Sequence, residues 1–238
     1  MNPFSDEYCR KEIEKLSCPE SSFGDVVIKK YDIEGRCDDF LTVNYRSGDR
    51  VIKDCPLFTK KGKIWMSLTP MEIQSSYLPI RHGRSSERVA TVGLGIGYFT
   101  VRVMSSPKVK TLDVYEIDPH VVELFKLNFS KRKGFKKINF IIGDFRETLK
   151  GKNYDFCYVD PYQDMLPDEI ITDYVNLHSE NKIKLLRPWA VELCFVDIDG
   201  PPDIMRFLER NDSRLRGVHI NQDFCEDVTS TIMGYESY

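Results

Sequence analysis

The pattern of apolar and polar positions divides the chain into three stretches. Residues 6–16 read as a short, largely polar helix, Asp6 to Leu16, closed by Cys18-Pro19 because a proline disfavours helical geometry in the residue before it. From Phe23 to Trp65 the texture turns to short β-branched and aromatic runs, VVIKKYDI, FLTVNY, RVIKD and KIWMSL. They are parted by turn signals at Glu34-Gly35, Ser47-Gly48-Asp49 and Lys61-Gly62-Lys63. This predicts a small antiparallel β unit. Thr69-Pro70-Met71-Glu72 then predicts a helix start, with Thr69 as N-cap, Pro70 at the first helical position and Glu72 reaching back as in a capping box. The helix should run to about His82.

Beyond it, strands and amphipathic helices alternate. The pattern predicts strand Arg88–Val92, helix Tyr98–Ser105, strand Thr111–Glu116, helix Pro119–Phe129, strand Ile138–Ile142, strand Tyr154–Asp160, helix Asp168–Leu186, strand Ala190–Asp197 and helix Pro202–Asn211. Two closing strands are expected near Gly217–Asn221 and Asp227–Met233, pairing antiparallel at one edge. Such alternation implies right-handed crossovers and an α/β fold whose mostly parallel sheet is covered on both faces. The expected domains are 1–68, the N-terminal helix and β unit, and 69–238, the α/β domain.

In open sheets of this kind, ligands bind beyond the carboxyl ends of the strands, where the strand order reverses. Four strand ends carry candidate chemistry: Val92-Gly93-Leu94-Gly95-Ile96-Gly97-Tyr98, Tyr115-Glu116-Ile117-Asp118, Ile142-Gly143-Asp144-Phe145 and Val159-Asp160-Pro161-Tyr162. Glycines permit positive φ and close approach of backbone to ligand, and the helix that follows offers free N–H groups. Glu116 can accept both hydroxyls of a ribose. The third glycine of the dinucleotide fingerprint would fall on Tyr98, so the spacing here is G-x-G-x-G instead.

That segment resembles motif I of the class I S-adenosylmethionine (SAM)-dependent methyltransferases. EIDPHVVELFK resembles their second motif, IIGDF their third and YDFCYVDPY their fourth. The resemblance implies a Rossmann-like seven-stranded, mostly parallel sheet with a small N-terminal β-rich extension, and SAM as cofactor. It implies cofactor contacts from Gly93, Gly95, Gly97, Tyr98, Glu116, Ile117, Asp144 and Phe145, the last with Ile117 flanking adenine. RVATVGLGIGY, VYEIDPHVVEL and the β unit ahead of them are similar in particular to spermidine synthases. Ile96 stands where that family carries an acidic residue, and Thr91 where many methyltransferases do. The contact to the methionine amino group is therefore expected elsewhere, for example from the helix at Thr69–Tyr77.

Asp160-Pro161-Tyr162 resembles a shortened (D/N)-P-P-(Y/F) motif of amino-methyltransferases, and the D-P-Y variant of some tRNA guanine N-methyltransferases. The resemblance makes these three the catalytic residues, with Asp160 accepting an N–H of the target and Tyr162 stacking on a planar base. It implies methyl transfer to nitrogen on a small amine or nucleobase. Two rival readings stand beside it: aminopropyl transfer to a polyamine held by carboxylates such as Asp160, Asp164, Asp168 and Glu169, and a catalytically silent SAM-binding module. Read without the resemblance, Asp118 is an N-cap ahead of Pro119, Asp144 a turn residue, Ile117 and Phe145 core, and Asp160 a helix cap or a partner of a surface lysine.

Thirty-four basic against thirty-seven acidic side chains leave a charge of −3, so no global field draws the chain to a polyanion. No apolar run approaches the roughly 18 residues of a bilayer span, and the opening MNPFSDEYCRKEIEK is too polar for a secretory signal. A cytoplasmic protein with no membrane partner is expected, with a homodimer left open. The seven cysteines, Cys9, Cys18, Cys37, Cys55, Cys157, Cys194 and Cys225, are scattered without a C-x-x-C pair, which predicts reduced thiols and no metal site. Lys131, Arg132, Lys133, Lys136 and Lys137 should lie at the amino ends of the strands, away from ligand. Lys60, Lys61 and Lys63 are candidates for phosphate contact. Arg81, His82 and Arg84 read as a solvated linker, and Trp65 and Trp189 as packing residues, with Trp65 within reach of the cleft.

Overall fold

A computed structural model describes residues 5–34, 51–162 and 167–189. Helix α1 (Asp6–Leu16) starts at Ser5, whose side chain accepts from the Tyr8 N–H, and ends at Ser17 in the left-handed conformation. Cys9, Ile13 and Leu16 form its buried face. Strands β1 (Ser21–Phe23), β2 (Val26–Glu34), β3 (Val51–Lys60) and β4 (Lys63–Ser67) then make an antiparallel sheet in sequential order. Helices α2 (Pro70–Ser75) and α3 (Tyr77–Ser85) lead into the second sheet.

That sheet contains β5 (Arg88–Val92), β6 (Thr111–Glu116), β7 (Ile138–Ile142), β8 (Asn153–Val159) and β9 (Lys182–Pro188), all parallel, in the order β7-β6-β5-β8-β9. Helices α4 (Tyr98–Met104), α5 (Pro119–Phe129), α6 (Phe145–Thr148) and α7 (Pro167–Glu180) fill the connections. From β5 the chain winds outward to β7, then crosses back to lay β8 on the other side of β5. The order therefore reverses between β5 and β8, at the crevice where α/β sheets take their ligands. Val89, Ala90 and Val92 on β5, and Phe156, Cys157 and Val159 on β8, are buried, as central strands covered on both faces require.

The N-terminal sheet docks on this domain through one continuous apolar core, in which Ile28, Phe58 and Leu68 join Val89, Val101 and Phe125. Polar links fix the arrangement. His120 Nδ1 lies 2.8 Å from Asp25 Oδ1, and Asn128 Nδ2 donates to Ser21 Oγ at 2.9 Å. Arg132 donates to the carbonyls of Lys15, Leu16 and Ser17, which satisfies the end of α1. Fully buried Glu12 accepts from the Tyr98 hydroxyl at 2.9 Å and lies 2.8 Å from both Arg102 Nε and Lys15 Nζ.

Three expectations are corrected. The helix from Thr69 breaks at Ser76 into α2 and α3 and continues to Ser85, because Pro79 has no N–H to donate to the Ser75 carbonyl one turn back. Arg81, His82 and Arg84 thereby sit on α3 rather than on a linker, with Arg84 Nη1 donating to Arg102 O at 2.7 Å. Finally, the helix expected to reach Leu186 stops at Glu180, and 182–188 is strand β9. Asn181 makes the break: its Nδ2 donates to Leu177 O and its Oδ1 accepts from Lys152 N, tying the helix end to the residue before β8. The elements expected at Ala190–Asp197, Pro202–Asn211, Gly217–Asn221 and Asp227–Met233, together with the run FLTVNY, lie outside the described residues, as does the seven-stranded count that depends on them.

Candidate active site

The carboxyl ends of β5, β6, β7 and β8 open into one cavity of about 470 Å3, within the ~300–1,000 Å3 of small-molecule sites. Its floor is the loop Gly93–Gly97, with Gly93, Gly95 and Gly97 all at positive φ. Gly93 and Gly97 are required by the protein's own contacts, and Gly95 by its φ of +48°. A β-carbon on Gly93 would meet the Asp160 carbonyl, one on Gly95 the Met66 sulfur and one on Gly97 the Phe125 ring. Tyr98 lines the cavity, but its hydroxyl is turned to Glu12.

Glu116 closes β6 with both oxygens engaged: Oε2 accepts from Leu94 N at 3.0 Å and Oε1 from Asp118 N at 2.9 Å. The carboxylate thus pins the glycine loop to the neighbouring strand and keeps a further lone pair on each oxygen. Burial raises its pKa, opposed by those two backbone bonds. Asp118 caps α5 by accepting from His120 N at 2.8 Å, and Lys60 Nζ sits 2.6 Å from its other oxygen. Lys60 therefore lines the cavity already paired, stacked 5.5 Å from the half-exposed Trp65 ring.

Ile117 is 66% exposed at the rim, an apolar side chain free to cover a flat ligand. Phe145 lines the same end but is packed into the second core cluster, with the Arg146 guanidinium 4.7 Å from its ring. Asp144 is exposed and caps α6, accepting from Arg146 N at 2.9 Å.

Asp160 leaves β8 at the switch point, its N–H donating to Val92 O at 2.8 Å. Among the described residues it neither caps a helix nor pairs with a lysine; its side chain receives the Tyr158 hydroxyl at 3.4 Å. Burial, and then the charge of Glu72, push its pKa well up, against the Tyr158 bond. Pro161 and Tyr162 continue the wall, and the Tyr162 hydroxyl donates to buried Asp173 of α7 at 3.2 Å. Arg146 grips the same carboxylate with Nε at 2.9 Å and Nη2 at 2.8 Å, which orients Tyr162 indirectly.

The roof comes from β4, where Trp65 alone is expected within reach of the cleft, and from α2, the helix expected to contact the methionine amino group, although the sequence singles out neither Met66 nor Glu72 for the site. Trp65, Met66, Thr69, Met71 and Glu72 line it, and Trp189 closes one side with Nε1 donating to Ser75 Oγ at 3.0 Å. The Thr69 side chain caps α2 as expected, but the Thr69 N–H donates to Ser67 O, which leaves the Glu72 carboxylate out of any capping box. The available signal was that Glu72 lies on the helix expected to supply an amino-group contact. Burial raises its pKa to about 7.

Among the described residues, Cys9, Cys18, Cys55 and Cys157 are buried, no group of three or more His, Cys, Asp or Glu could hold a metal ion, and no helix is long and apolar enough to cross a membrane.

No protein-family model and no curated protein matches this chain. Among solved structures it is similar to a SAM-dependent O-methyltransferase from Thermotoga maritima, at 16% identity over 45% of this chain and 39% of that one, TM-score 0.36. Spermidine synthase from Thermotoga maritima matches at 15% identity over 69% and 53%, TM-score 0.41. The N-methyltransferase NodS from Bradyrhizobium japonicum WM9, in complex with S-adenosyl-L-homocysteine, matches at 16% identity over 47% and 56%, TM-score 0.37. The chain thus spans between 39% and 56% of the length of these three. These overlaps are partial, and the functional weight falls on this chain's own strand order and side chains.

Proposed function

We propose that the chain is a SAM-dependent methyltransferase acting on a nitrogen acceptor. The observation that carries this reading is the convergence, in one cavity at the switch point, of the glycine loop, Glu116 and Asp160-Pro161-Tyr162. The residues fit the cofactor. Glu116 retains acceptor capacity for two ribose hydroxyls, Ile117 and Phe145 offer apolar surface to adenine beside Asp144, and the loop Gly93–Gly97 leads to Asp160. Met66, which covers Gly95, is flexible enough to yield. Bound there, SAM supplies an electrophilic methyl on a sulfonium. Asp160 accepts an N–H of the acceptor, and its raised pKa suits it to hold a departing proton. Tyr162 forms a flat wall held by Asp173, and Trp65, Met66 and Met71 give the roof apolar surface.

Calorimetry with SAM and S-adenosylhomocysteine tests the site: binding is expected, and Glu116→Ala should weaken it by about 1–3 kcal/mol. Absence of binding by the intact chain overturns the reading. Incubation with methyl-labelled SAM and a panel of small amines and nucleic acids should label nitrogen, and Asp160→Ala should abolish the label while S-adenosylhomocysteine still binds. Two carboxylates in the cavity, Glu72 and Asp160, favour a second reading, aminopropyl transfer from decarboxylated SAM. The product mass from putrescine decides between them.

A further inference from the structure

We infer that Glu72 and Asp160 form a paired-carboxylate socket for an alkylammonium group, an assignment that deepens the SAM-site reading and rests on it. The two side chains come from different walls of the cavity, Glu72 from α2 in the roof and Asp160 from the end of β8.

The pair is under-satisfied. Among the described residues the Glu72 carboxylate has no hydrogen-bond or ion-pair partner, and Asp160 receives only the long Tyr158 bond of 3.4 Å. The cations that line the cavity are committed elsewhere: Lys60 to Asp118 at 2.6 Å, and Arg146 to Asp173 at 2.8 Å and Glu169 at 3.0 Å. Of the other carboxylates lining the cavity, Glu116 is held by two backbone N–H groups, and Asp144 is exposed and accepts from Arg146 N. Both residues are half-buried, and a partly desolvated carboxylate without a strong partner is unfavourable, the more so facing a second one, so the arrangement calls for a cation.

An alkylammonium matches it. Its three N–H donors meet four carboxylate oxygens, and its alkyl stem suits the Met66 and Met71 side chains beside them. Without ligand, burial and the repulsion between the two carboxylates favour keeping a proton on the pair. The incoming R–NH3+ takes the proton's place in neutralising the pair, and the proton leaves to solvent.

Two sources present this group in a SAM site: the α-ammonium of the cofactor, for which neither Thr91 nor Ile96 supplies a carboxylate, and the amine of the acceptor. The test compares wild type with Glu72→Gln, which keeps the side chain's size, by calorimetry near neutral pH. S-adenosylhomocysteine carries the α-ammonium; 5′-methylthioadenosine shares the adenosine and lacks it; propylamine, added to protein loaded with 5′-methylthioadenosine, probes the socket alone. A cofactor role is expected to cost S-adenosylhomocysteine at least tenfold in affinity while 5′-methylthioadenosine changes less than twofold. An acceptor role is expected to leave both unchanged and to abolish propylamine binding. In either case, repeating the titration in buffers of different ionisation enthalpy should show proton release in wild type that Glu72→Gln loses. Unchanged affinity for all three ligands with unchanged proton release overturns the socket. Should wild type bind neither nucleoside, the SAM-site reading fails, and propylamine titrated alone then decides the socket: loss of its binding in Glu72→Gln keeps it, no binding overturns it. Circular dichroism of the variant confirms that it folds.

Discussion

The α-carbon of Gly93 faces the main-chain carbonyl of Asp160 so closely that a β-carbon on Gly93 would lie 2.1 Å from the oxygen. The end of β5 and the end of β8 thus meet backbone to backbone at the switch point, with φ of +80° at Gly93. Gly93→Ala must both occupy the left-handed region and push the Asp160 segment away. We expect it to destabilise the chain by more than about 2 kcal/mol and to weaken S-adenosylhomocysteine binding at least tenfold. Gly62 in the β3–β4 turn is the control: its φ is +74° but nothing lies within 4 Å of a β-carbon there. Gly62→Ala should cost only about 1 kcal/mol and leave binding intact. Urea unfolding and calorimetry on both variants check the contrast, and equal effects contradict it.

Glu12 carries the charge that docks α1 on α4. It is fully buried, and Arg102 beside it is 20% exposed, whereas Lys15 is half-exposed. Glu12→Ala leaves Arg102 and the Tyr98 hydroxyl without their acceptor, and we expect a loss of roughly 3–5 kcal/mol. Double-mutant cycles in denaturant should give a Glu12–Arg102 coupling well above the Glu12–Lys15 coupling, which solvent screening holds below about 1 kcal/mol. A larger coupling to Lys15 would show that burial is not what gives the pair its strength.

The boundaries of β5, β6, α5 and β7 coincide with the sequence expectation because strong local signals frame them: Gly93 after an apolar run, Asp118-Pro119 at a helix start, Gly143 after β7. Where several signals compete, tertiary pairing chooses. Ile183, Leu185 and Leu186 continue the apolar content of α7, yet 182–188 pairs with β8 as a strand once Asn181 has closed the helix. The site is legible to the same degree. Glycines and carboxylates at strand ends can be read from order alone. Glu72 obeys a local capping rule on paper, and only the docking of the N-terminal sheet turns it and Met66 toward Asp160 and Gly95. Sequence spacing carries no information about which wall faces which.

Glu72 also sets a pH dependence of stability. Burial raises its pKa to about 7 from the ordinary 4.5, so between those values the folded chain keeps a proton that the unfolded chain releases. Stability from this group is complete below about pH 4.5 and falls as pH rises through about 7, by roughly 3 kcal/mol in total. Glu72→Gln should flatten that slope and make the chain more stable than wild type at pH 8. Denaturant unfolding at pH 5, 6.5 and 8 measures it; an unchanged slope in the variant would assign the effect to Asp160 or Glu116 instead, whose carboxyls are raised in the same direction.

The orientation of Tyr162 depends on a carboxylate it shares. Asp173 is buried and accepts from the Tyr162 hydroxyl and, through two parallel bonds, from Arg146. Tyr162→Phe removes one neutral hydrogen bond while Arg146 still satisfies Asp173, so the expected cost is about 0.5–1.5 kcal/mol. Asp173→Ala removes the acceptor for both side chains and should cost more, since charge-assisted bidentate bonds are roughly twice as strong as neutral ones. Because the Tyr162 bond exists only through Asp173, Tyr162→Phe should add almost nothing in the Asp173→Ala background. Neither change touches Glu116 or the glycine loop, so S-adenosylhomocysteine affinity should stay within about threefold of wild type, while methyl transfer to any acceptor found by labelling should show a raised KM in Asp173→Ala, where the ring has lost its tether. If the two stability losses add in full, Tyr162 draws its stability from contacts other than Asp173, and α7 has no hand in shaping the acceptor wall.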